Sequence, residues 1–136
     1  GYGRILNVAS LAGLVPASAG HTLYGATKLW LIRFSESLDQ ESRQRGVHVT
    51  ALCPGMTYTE FHDVNGMRDK VSKLPKGIWL TSAEVARQGV DAVESGRARI
   101  VTGRSNKLIA GLSKYLPDRL ARALLAAKAK DFRDAD

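Results

Sequence analysis

The spacing of apolar positions changes along the chain, and each change marks an element. Residues 5–9 and 47–52 are short apolar runs, rich in β-branched residues and bounded by turn formers. That is the pattern of parallel strands buried on both faces. Between them, over residues 23–45, the spacing becomes helical. Tyr24, Lys28, Leu31, Ser35 and Leu38 fall on one face, and Trp30, Phe34 and Ser37 on a second, partly apolar face. Gly46 suits the left-handed position that stops such a helix. Strand, helix and strand together predict a right-handed βαβ crossover.

Past Cys53 the periodicity is lost. Pro54-Gly55 closes the second strand, and residues 56–80 mix Gly66, Pro75 and Gly77 with charges, which predicts a long functional or mobile loop. Thr81, followed three residues later by Glu84, is a capping signal that opens a helix to about residue 94. Residues 99–102 read as a last strand, ended by Gly103. Beyond it, Leu108, Ile109, Leu112 and Leu116, then Leu120, Leu124 and Leu125, predict two short amphipathic helices broken at Pro117. No internal repeat is visible.

Composition narrows the classes. At 136 residues the chain is one domain's worth, and its single cysteine, Cys53, excludes an intramolecular disulfide. At the end of an apolar strand Cys53 reads as a small buried residue, not a nucleophile. No signal peptide or membrane-length apolar run is present, so a reducing cytoplasm is expected. The net charge of +7 is uneven: residues 1–96 hold ten Lys/Arg against nine Asp/Glu, and residues 97–136 hold ten against four. A basic tail raises nucleic-acid and membrane-surface readings. No aromatic interleaving supports nucleic acid. Leucines packed on the domain, with a solvated basic face, are preferred to membrane contact. His21 and His62 fall in loops and His48 in a strand, with no metal-ligand spacing.

Three features carry chemistry. Tyr24 and Lys28 are one helical turn apart, and an ammonium beside a phenol favours its anion, making the pair a candidate proton donor and acceptor. Alone, such a pair suits a helix surface better than catalysis. Ser10 follows an apolar strand, where its hydroxyl can hold a reacting oxygen or simply cap the next turn. Pro54-Gly55 ends the neighbouring strand in a turn that a flat ring can approach closely. Ser18, Ser35 and Ser37 lack that context and read as structural. Together the three features point to carbonyl–alcohol redox chemistry.

In this order they resemble the short-chain dehydrogenase/reductase family. The run from Gly3 to Gly13 is similar to its catalytic-serine strand, Tyr24 and Lys28 to its Tyr-x-x-x-Lys motif, and Pro54 to Thr59 to its Pro-Gly-x-x-x-Thr loop. The Ser10–Tyr24 interval is one residue longer than is usual there, so a bulged loop is expected. The resemblance implies an α/β doubly wound, Rossmann-like parallel sheet, present as its C-terminal portion. It implies an NAD(P)-dependent oxidoreductase acting on a small carbonyl or alcohol. Tyr24 would be its acid/base, Lys28 would tune Tyr24 and bind ribose, and Ser10 would hold the reacting oxygen. The cofactor, NAD or NADP, would be held by Tyr24, Lys28, Pro54, Gly55, Thr57 and Thr59. A substrate lid over residues 56–80 and a homodimer or homotetramer formed through the helix of Trp30 and Phe34 are also implied.

No Gly-x-Gly-x-x-Gly stands on a strand-to-helix turn here. The family's glycine-rich loop and catalytic Asn are therefore expected on a preceding segment, and the chain alone is expected to be inactive. Residues 1–104 would be the catalytic part and 105–136 a basic amphipathic helical tail. A sugar-nucleotide epimerase or dehydratase shares Tyr-x-x-x-Lys but carries a larger substrate domain. A non-catalytic binding protein on the same fold has no need of Ser10, Tyr24 and Lys28 together.

Overall fold

The computed structural model describes residues 1–16, 22–58, 79–117 and 119–123. In chain order these form β1 (Gly3–Val8), a 3-10 turn (Leu11–Gly13), α1 (Thr22–Ser42), a second 3-10 turn (Arg43–Arg45) and β2 (Val47–Cys53). There follow β3 (Thr57–Tyr58), β4 (Leu80–Thr81), α2 (Ser82–Glu94), β5 (Arg99–Val101) and α3 (Arg104–Tyr115). β1, β2 and β5 form a parallel sheet with β2 in the middle.

β2 takes the central place because its residues tolerate burial on both faces: Val49, Thr50, Ala51, Leu52 and Cys53 are all buried. Ala51 and Cys53 pack with Ala9 and with Ile32 of α1. Leu52 and Ile100 pack with Val85 and Ala92 of α2. A helix thus covers each face, as expected of an α/β sheet. Glu36 joins α1 to β5 by pairing with both Arg33 at 2.8 Å and Arg99 at 3.0 Å.

The helix between the first two strands departs from expectation in two ways. It tightens to 3-10 geometry at Arg43 before Gly46, whose φ of 75° gives the expected left-handed stop. Its buried stripe is Ile32, Ser35 and Asp39, rotated from the predicted line because an acidic residue is buried. Asp39 tolerates this because its carboxylate is satisfied. Oδ1 accepts from the Val49 N–H at 3.0 Å, and Oδ2 accepts from Arg43 at 2.6 and 3.2 Å. Arg43 also donates to the Gly96 carbonyl at 2.9 Å, so the clasp reaches the turn before β5. Burial acts to raise the Asp39 pKa, but the Val49 N–H and the Arg43 guanidinium together hold it below the ordinary value.

α2 opens on the expected capping box: Thr81 Oγ1 accepts from the Glu84 N–H at 3.2 Å, and Glu84 Oε2 accepts from the Thr81 N–H at 2.8 Å. The predicted loop is bracketed by structure the periodicity did not reveal. β3 and β4 pair in parallel, the Tyr58 and Trp79 rings stack 4.7 Å apart, and Ser82 donates to the Tyr58 carbonyl at 2.7 Å. Residues 59–78 lie outside the described residues.

The tail also differs from expectation. Leu108, Leu112 and Leu120 are exposed rather than packed on the domain. Asn106, Ile109, Ala110 and Ser113 form the inner side of α3 instead. Residues 119–123 are helical beyond Pro117, and Leu124 and Leu125 lie outside the described residues.

Candidate active site

The turns that leave β1 and β2 are tied to each other. The Ala9 N–H donates to the Leu52 carbonyl at 2.7 Å, and the Leu11 N–H donates to the Pro54 carbonyl at 2.8 Å. The first turn also lies flush on α1. A Cβ on Gly13 would stand 2.7 Å from the Leu29 nitrogen and 2.9 Å from the Lys28 carbonyl carbon, so only glycine fits. Asn7 Nδ2 donates to Ser35 Oγ at 3.0 Å, and Ser35 donates to the Leu31 carbonyl at 2.7 Å, pinning β1 to the same helix. Ser35 is structural, as its context suggested.

Ser10 caps the 3-10 turn, its Oγ accepting from the Ala12 N–H at 3.1 Å. Accepting this bond does not consume the hydroxyl proton, because a serine hydroxyl both donates and accepts. Lys28 Nζ donates to the Val8 carbonyl at 3.0 Å, which places the ammonium at the carboxyl end of β1. The same Nζ is 5.7 Å from the centre of the Tyr24 ring, and Tyr24 is partly exposed. The Lys28 ammonium is thus bonded at the end of β1, the turn that bears Ser10 is bonded to Pro54 at the end of β2, and Tyr24 is one helical turn from Lys28.

Thr57 Oγ1 donates to the Gly55 carbonyl at 3.2 Å, while Thr59 lies outside the described residues, as do His21 and His62. Gly55 has a neighbour that sequence reasoning missed. Asn106, nearly fully buried, donates from Nδ2 to the Thr102 carbonyl at 2.8 Å, and its amide fills the place a Gly55 Cβ would occupy. The close approach that Gly55 permits is made by Asn106, and that side of the turn is closed to a ligand. Nothing in the local sequence marks Asn106, which begins what reads as the tail.

Burial pushes the Cys53 thiol up to about 11, in keeping with a packing role. Among the described residues no group of three or more His, Cys, Asp or Glu could hold a metal ion.

Residues 1–69 match the family model described as short chain dehydrogenase. The chain belongs to this family. Its similarity to a 3-oxoacyl-(acyl-carrier-protein) reductase of Rickettsia felis is 31% identity over 114 residues, covering 82% of this chain and 46% of the relative. The chain thus spans about half the length of the curated relatives it matches. Among solved short-chain dehydrogenases, one from Burkholderia cenocepacia in complex with NADP superposes with a TM-score of 0.61 at 24% identity. That match covers 74% of this chain and 44% of the other, and it shows the parallel α/β fold. A 3-oxoacyl-(acyl-carrier protein) reductase with bound NAD from Brucella melitensis gives 0.53 at 28% identity, covering 74% and 38%.

Proposed function

We propose that this chain is the C-terminal, catalytic half of an NAD(P)-dependent oxidoreductase that interconverts a carbonyl and an alcohol. One observation carries the reading. The Leu11–Pro54 hydrogen bond gathers Ser10 and Pro54-Gly55 at the carboxyl ends of adjacent parallel strands, where open α/β sheets take ligands. Lys28, bonded to Val8, joins them there.

These groups fit the nicotinamide-ribose end of a dinucleotide: an ammonium for ribose hydroxyls, and a turn with backbone polar groups for a carboxamide. When bound, such a cofactor supplies or accepts the hydride. Tyr24 gives or takes the proton at the substrate oxygen. Ser10 donates its hydroxyl hydrogen to that oxygen as charge gathers there. Lys28 sets a positive charge one turn from the phenol and binds the ribose. Pro54 and Gly55, on the side of the turn away from Asn106, position the nicotinamide with Thr57 and Thr59, and the substrate lid is assigned to residues 56–80, most of which lie outside the described residues. The substrate is a small ketone, aldehyde or alcohol, and the protein assembles as a homodimer or homotetramer.

Oxidation of NADH and of NADPH by the intact protein, followed at the nicotinamide absorbance with a panel of ketones and aldehydes, tests the reading. Turnover with one cofactor supports it. Tight cofactor binding without turnover on any carbonyl points instead to a binding protein on the same fold.

A further inference from the structure

One side of α3 is turned to the protein and the other to solvent. Leu108, Leu112 and Tyr115 stand at i, i+4 and i+7 on the outer side and are 64%, 51% and 80% exposed. By helical spacing Lys107 and Lys114 run along one margin of this stripe, and Arg104 opens it in the first turn. Lys114 Nζ sits 5.4 Å over the Tyr115 ring, within the same margin. The charge is local to this region: residues 104–123 contain five Lys/Arg and one Asp, while residues 1–96 are close to balanced.

A row of leucines and a tyrosine beside a cationic margin is the pattern that an anionic lipid surface recognises. Leucines enter the boundary of the acyl chains, a tyrosine rests at headgroup level, and ammonium groups meet phosphates. A second copy of the chain suits the stripe poorly, because a two-fold contact would set these cations against themselves. Among the described residues no helix is long and apolar enough to cross a membrane. We propose that the Leu108–Leu112–Tyr115 face of α3 docks the protein on an anionic phospholipid surface.

Co-sedimentation of the intact protein with vesicles of phosphatidylcholine, and of phosphatidylcholine mixed with phosphatidylserine, tests this. Binding is expected to the mixed vesicles and not to phosphatidylcholine alone, and is expected to weaken as salt is raised. Leu108→Ser/Leu112→Ser and Lys107→Ala/Lys114→Ala should each weaken it by about tenfold or more. Both variants should keep the circular dichroism of the parent. If the serine variant unfolds, the exposed-lysine variant still decides. Equal binding to both lipids, no binding, or binding indifferent to the lysine variant overturns the proposal. So does a self-association that is lost in the serine variant without any vesicle binding, which would give the face to a second copy.

Discussion

The backbone N–H of Leu11 donates to the carbonyl oxygen of Pro54 at 2.8 Å, joining the turn that bears Ser10 to the turn that bears Gly55. Both turns leave strands paired in parallel from Gly3↔Val47 to Val8↔Leu52. With Gly13 seated on the backbone of α1, three stretches remote in sequence become one piece. Displacing any one of them moves the others, which is how distant packing changes reach a site.

Tyr24→Phe keeps the ring and its packing but removes the proton. In the intact protein, turnover should fall by about a hundredfold or more. Cofactor affinity, read by fluorescence titration, should change little. Near-normal turnover would remove Tyr24 from the mechanism.

Gly55→Ala forces a methyl into the Asn106 amide. A loss of about 1–3 kcal/mol in urea unfolding is expected from overpacking of this kind. Asn106→Ala loses its own buried hydrogen bond to Thr102, so the double variant should be more stable than the two single losses added together. Simple additivity would show that the two residues do not press on one another.

Asp39 gives a pH dependence whose sign is fixed. Its folded pKa lies below the ordinary 3.8, so its contribution is complete above that value and is lost as pH falls through the folded pKa. Asp39→Asn should therefore be less stable than the parent at neutral pH by about 1–3 kcal/mol, toward the lower end because Arg43 is half exposed. The gap should close below about pH 4. Urea titrations across the acid range measure it, and a gap constant with pH would count against the clasp.

Trp30 and Phe34 stack 5.3 Å apart on the outer side of α1 and are 65% and 45% exposed. A stacked aromatic pair left in water suits a subunit contact. Trp30→Ser/Phe34→Ser should shift the intact protein to a smaller species in sedimentation velocity. A monomeric parent would refute the assembly.

Strands, crossover helix and capping box were legible because each rests on local rules: apolar runs, helical spacing, Thr81 with Glu84. What escaped was set by tertiary contact. Asp39 reads as a solvated residue until the Val49 N–H and Arg43 are beside it. Asn106 reads as the opening of a surface helix until Gly55 lies beneath it. β3 and β4 are too short for any period to show, and exist only because their partners are brought together. Ser10, Tyr24 and Lys28 were conspicuous as residue types, but only the fold shows Lys28 bonded to Val8 and the turn of Ser10 bonded to Pro54. The tail misled because a regular row of leucines signals an apolar face without saying what that face meets.

The clasp formed by Thr57–Tyr58 with Leu80–Thr81, reinforced by the Tyr58–Trp79 stack, has an evolutionary consequence. Because the two stems are bonded directly to each other, the entropy of closing the chain between them grows slowly with its length, by about 0.6 kcal/mol per doubling. A change of length between Tyr58 and Trp79 is therefore expected to cost the pairing of β3 with β4 little. On the function proposed above, a lineage could vary the length of that stretch while the β3–β4 closure stays in place.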